Sequence, residues 1–170
     1  MVHFVVSSML MFCLTAVQQT PPPARANHLK TLEFLVGGTW TAGGEFLGFG
    51  KYIAERSYRW SLDSSFIEQH HLLTLNSHQI EAIGFLGWDP NKNQVVAYGF
   101  GNDGGIATTA ATIQGKVIIF EGSRIGGFNP GPLRGTFTIM SNDDYTESVE
   151  VQKDGVWVPS FSFHWVRKSE

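Results

Sequence analysis

The chain has 170 residues and a formal net charge of −3, with 42% hydrophobic, 13% aromatic and only 16% charged residues. That is enough chain to bury a core within one domain, and the composition excludes a disordered chain, a coiled coil and a collagen-like repeat. The charge leaves no footprint for nucleic acid, and a single cysteine excludes a disulfide framework or a thiolate zinc site.

Residues 4–17, FVVSSMLMFCLTAV, are uncharged and almost wholly apolar. The run falls short of the roughly 20 residues that a membrane-spanning helix needs, and it has the length of the apolar region of an export signal. Ala24-Arg25-Ala26 follows as an A-x-A cleavage pattern. Residues 1–26 are therefore expected to be a signal peptide and linker, and 27–170 a secreted or periplasmic domain with no transmembrane segment. Cys13 lies within the signal, so the mature domain is expected to be free of thiols.

Residues 27–38 read as one short helix. Asn27 suits the N-cap, and Gly37 or Gly38 the position just past the end. Leu29, Leu32, Leu35 and Val36 share a face that must bury against something apolar. Everything afterwards reads as strand: 38–48, 50–60, 64–76, 79–88, 93–101, 106–114, 116–122, 133–141, 144–153 and 156–167. Turn chemistry separates them at roughly 8- to 12-residue intervals. Examples are Asp89-Pro90-Asn91-Lys92-Asn93, Gln114-Gly115 and Lys153-Asp154-Gly155. Gly126 to Pro132 is the longest irregular stretch and is expected at a barrel mouth or as a slack connection. The fold class is all-β: about ten antiparallel strands in an up-and-down barrel, with a short N-terminal helix.

Alternation gives the strands two faces. Val95, Ala97 and Gly99 oppose Val96, Tyr98 and Phe100; Phe161, Phe163 and Trp165 oppose Ser162 and His164. Several strands are apolar on both faces, which fits either a barrel with an apolar lumen or two packed sheets.

Several segments resemble a known group. Leu35-Val36-Gly37-Gly38-Thr39-Trp40 opens the first strand, Ile83 to Pro90 carries a G-x-x-G-x-D turn, and Gln94 to Tyr98, Lys116 to Gly122 and the closing Trp165 to Lys168 fit the same pattern. They resemble the lipocalin-like β-barrel family of unknown function in the calycin superfamily, over residues 28 to 168. The resemblance implies a roughly ten-stranded barrel closed at one end by the helix, and it brings no catalytic set. Gly38-Thr39-Trp40 and His164 are more distantly similar to nitrobindin, a haem-binding barrel with an axial histidine in its last strand. The haem implied by that resemblance would use His164. Residues 43–53 depart from it, having no Tyr-Pro pair.

The aromatic residues Trp40, Trp60, Trp88, Tyr98 and Phe100, together with His164, are the candidate ligand-binding set. Such barrels bind apolar ligands in the lumen, although aromatics more commonly just fill a core. Glu68, His70 and His164 are the candidate acid/base groups. His70 and His71 are adjacent on a strand, so they point to opposite faces and cannot share a lumen. No metal-ligand spacing is present, and no metal is expected. Arg56, Arg59 and Arg134 are isolated basic residues that either meet a carboxylate or sit on a solvated face, the commoner outcome. The expected function is noncatalytic binding of a small apolar or amphipathic molecule. The alternatives are a haem protein using His164, with haem as the only cofactor considered, and a lumenal isomerase or cyclase using Glu68, His70 or His164. The oligomeric state is not legible.

Overall fold

The computed structural model describes residues 27–46 and 50–168. The expected signal peptide and linker, residues 1–26, lie outside the described residues.

Ten strands form one closed antiparallel barrel in which each strand pairs with its neighbours in sequence and the last returns to the first. They are β1 (Thr39–Phe46), β2 (Gly50–Ser61), β3 (Phe66–Leu75), β4 (His78–Asp89) and β5 (Gln94–Gly101), then β6 (Ile106–Gln114), β7 (Val117–Ile125), β8 (Gly131–Ser141), β9 (Asp144–Lys153) and β10 (Val156–Arg167). The sequence reading is confirmed strand by strand, and the sandwich alternative falls away. Asp154 and Gly155 both take positive φ, 51° and 79°, which is the primed turn that a two-residue hairpin between right-twisted strands requires.

The helix is a 3-10 helix, Asn27–Leu35. Its buried leucines, 29, 32 and 35, recur at a spacing of three, and in a three-residue turn such side chains stack on one line. Gly37 and Gly38 then take φ of 85° and 68°, and this left-handed pair reverses the chain into β1. The helix plugs one end of the barrel. Trp40 Nε1 donates to Leu35 O at 2.9 Å, and His28 stacks on Trp88 with ring centroids 4.0 Å apart. Arg167 lies over the Trp40 ring at 4.3 Å and donates to the carbonyls of Phe34 and Gly37. Those carbonyls lie where the helix ends, so Arg167 supplies donors that the helix itself lacks.

The barrel seam is uneven. β1 meets β2 over eight residue pairs but meets β10 only at Trp40↔Arg167 and Thr41↔Val166. Beyond those pairs aromatic rings fill the gap. Phe46 stacks on Tyr52 at 4.0 Å, Phe161 and Phe163 pack against Phe46, and the Tyr52 hydroxyl donates to Ser162 O at 3.2 Å.

Candidate functional site

A cavity of about 290 Å³ lies inside the barrel. Its origin is a wall without bulk. β4, β5 and β6 present Ala82, Gly84, Ala97, Gly99, Gly101 and Ala107 to it. One row of register-paired residues crosses six strands from β2 to β7 as Tyr58, Gln69, Gly84, Gly99, Ala107 and Arg124, and all of these residues line the cavity. Phe120, Phe137, Leu86, Leu133 and Val149 make the rest of the wall largely apolar.

A buried polar cluster stands within this apolar setting. Arg56 Nη1 donates to Glu147 Oε2 at 2.8 Å and to the hydroxyls of Tyr58 and Tyr145 at 3.3 Å. Trp165 Nε1 donates to the same Glu147 oxygen at 2.8 Å, and the Arg56 guanidinium lies 4.3 Å from the Trp165 ring. Burial pulls Arg56 down, but Glu147, Tyr58 and Tyr145 outweigh it and raise its pKa well above the ordinary arginine value, so the guanidinium keeps its charge. Removing one partner of such a pair costs about 3–5 kcal/mol, because the other is left buried and uncompensated.

Arg56 Nε donates to His71 Nδ1 at 3.1 Å. Burial, and then the Arg56 charge, hold the His71 pKa well below the ordinary imidazole range, so the ring is neutral. Nδ1 accepts from Arg56, which leaves the proton on Nε2. His71 therefore offers the cavity a donor rather than a lone pair for a metal.

At the far end, Arg124 Nη2 donates to both carboxylate oxygens of Asp103 at 2.7 Å. Asp103 also accepts from Gly105 N at 3.0 Å and from Phe128 N at 2.8 Å. It thereby pins the irregular 126–130 segment to the β5–β6 turn at the end opposite the helix. Burial pushes the Asp103 carboxyl up, but these amides and Arg124 outweigh burial and hold it below the ordinary aspartate value.

The sequence-derived candidates lie mostly elsewhere. Trp40 is fully buried at the plugged end, with Trp60 partly buried at the end of β2 and Trp88 under His28. Tyr98 and Phe100 alternate with the lumenal Ala97, Gly99 and Gly101. They border the cavity from the strand backbone, while their side chains stand outside, the residues 46% and 42% exposed. His164 is also outside, its side chain 61% exposed and its Nε2 2.8 Å from Asp144 Oδ1. Glu68 and His70 do meet, Oε1 to Nε2 at 2.8 Å, but on the outer face of β3 beside Arg59. Hydrogen bonds from Arg59 and His70 lower Glu68 to about 2. The structure thus brings Glu68 and His70 together, but neither they nor His164 reach the lumen.

The expected opposition of His70 and His71 is seen directly, with His71 inside. Arg56, Arg59 and Arg134 all meet carboxylates, namely Glu147, Glu68 and Glu150; Arg56 does so in the buried interior, whereas Arg59 also keeps to a solvated face, its side chain 70% exposed. A lumenal haem does not fit these residues, since His164 faces outward and the His71 nitrogen left free by Arg56 carries a proton. Among the described residues no group of three or more His, Cys, Asp or Glu side chains could hold a metal, and no helix is long and apolar enough to cross a membrane. No protein-family model matches the chain, and no curated protein matches it.

Proposed function

We propose that this protein is an exported, noncatalytic carrier or sensor of a small apolar or amphipathic molecule, held inside a lipocalin-like barrel of calycin type. The observation that supports the reading is the cavity of about 290 Å³, close to the lower bound for ligand pockets, with an apolar wall and a few fixed polar groups. Well-packed interiors hold few voids larger than one water, and the inward positions that three neighbouring strands supply around this space are mostly alanine and glycine, with Leu86 and Thr109 besides. The apolar run at 4–17 and the A-x-A pattern at 24–26 support export.

The test fills the space. A Cβ built at Gly135 meets nothing within 4 Å, and Gly135 lines the cavity, so Gly135→Leu projects its side chain into the void. The probe is propionyl-dimethylaminonaphthalene, whose fluorescence reports an apolar site. The natural protein is expected to bind it, and Gly135→Leu to weaken binding more than about tenfold while stability to urea changes by less than about 1.5 kcal/mol. No binding to the natural protein, or equal binding to both, would contradict the reading.

A further inference from the structure

We infer that the lumen selects an uncharged ligand whose carbonyl-type oxygen accepts a hydrogen bond from His71 Nε2. The inference rests on the lumenal binding reading above and specifies its ligand class. The role of this nitrogen is fixed by its neighbour. Arg56 Nε can only donate, and it reaches His71 Nδ1 at 3.1 Å, so Nδ1 is the acceptor and the ring proton sits on Nε2. His71 and Arg56 are paired in register on β3 and β2, and both line the cavity. Outside the exposed residues, and among the described ones, Arg124 Nε is the one side-chain nitrogen or oxygen that lacks both accessible surface and a hydrogen-bond partner. His71 is only partly buried, and its Nε2 makes no hydrogen bond with any described residue, so that nitrogen keeps accessible surface.

The strands explain why this donor has no partner. The register row through Arg56 and His71 continues to Ala82 on β4 and Gly101 on β5. All four residues line the cavity, and neither alanine nor glycine carries a side-chain oxygen that could accept the proton. A ligand oxygen beside Ala82 takes the place that a serine or threonine hydroxyl would occupy there. The Gln69 amide and the Thr109 hydroxyl also line the cavity, but each of them both donates and accepts. His71 has one fixed role, and it therefore selects an acceptor.

The surroundings also select a neutral ligand. The Arg56 guanidinium, bonded to the same ring, disfavours a cation beside it. The two arginines that line the cavity are already paired, Arg56 with Glu147 at 2.8 Å and Arg124 with Asp103 at 2.7 Å. A carboxylate would thus enter a largely apolar space with no unmatched cation to offset its lost hydration, whereas a ketone, ester or amide oxygen carries no such cost.

Three dimethylaminonaphthalenes test this by fluorescence titration of the protein near neutral pH: the propionyl ketone, the carboxylate and the unsubstituted parent. The ketone is expected to bind about tenfold more tightly than either of the others. His71→Leu removes the donor and is expected to erase that advantage. His71→Gln, whose amide accepts from Arg56 and still carries N–H donors, is expected to keep most of it. Two spectra of the natural protein need no variant. On adding the ketone, the His71 Nε2 proton resonance is expected to move downfield, and the bound carbonyl stretch to lie at lower wavenumber than in an apolar solvent. Tighter binding of the carboxylate, equal binding of ketone and parent, an advantage that survives His71→Leu, or an unmoved Nε2 proton would each overturn the inference while leaving lumenal binding intact. Indifference of all three probes to Gly135→Leu would instead overturn the lumenal reading beneath it.

Discussion

His71 couples the cavity to pH. Its native pKa lies well below the unfolded value of about 6.5, because burial and Arg56 disfavour the imidazolium. The unfolded chain therefore binds more protons as pH falls through that value, and stability rises with pH there and is lost on acidification. Below about pH 6.5, and until the native ring itself takes up a proton, the slope from this one site can reach at most about 1.4 kcal/mol per pH unit. The lowered carboxylates Glu68 and Asp103 act in the same direction, but only below their unfolded values near pH 4. Urea titrations across pH 5–8 are expected to show the slope in the natural protein. His71→Gln, whose amide oxygen can still accept from Arg56, is expected to flatten it, and an unchanged slope would remove His71 as its source. This side chain was half legible in the sequence. Alternation placed it opposite His70, but nothing local signalled that Arg56 would reach it. The carboxylate that completes the cluster, Glu147, is 91 residues from Arg56 and meets it only because the barrel closes.

At the scale of elements, the strands were legible because each carries its own signal: two-residue periodicity bounded by asparagine and glycine turns. The cavity was less so, because it is made by what strands omit. Attention to Trp40, Tyr98 and Phe100 follows the rule that aromatics line pockets. Here the informative signal is the small inward residues, Ala82 and Gly84 on β4, Ala97, Gly99 and Gly101 on β5, and Ala107 on β6. The seam is a further element-level feature that no local pattern announces. With two paired positions, β1 and β10 share far less hydrogen bonding than any other neighbours, and the aromatic fill is the substitute. Opening free energies vary across a fold with such differences. Amide hydrogen exchange is expected to be faster along Ala42–Phe46 than along the central strands β5 and β6. Protection equal to theirs would show that the aromatic packing holds the seam as firmly as a ladder does.

For the whole molecule, closure brings two apolar regions close together on opposite sides of one sheet. Inside is the cavity. Outside, Ile83, Phe100, Ile106 and Ile125 form one row across β4–β7, all at least partly exposed. An apolar probe thus has two places to go, and the central claim is that it goes inside. The most direct measurement is an intermolecular NOE experiment on the protein with propionyl-dimethylaminonaphthalene, reading contacts from probe protons to assigned methyl groups. The account expects contacts to the lumenal methyls of Ala82, Ala97 and Ala107. Contacts confined to the outer methyls of Ile83, Ile106 and Ile125 would contradict it.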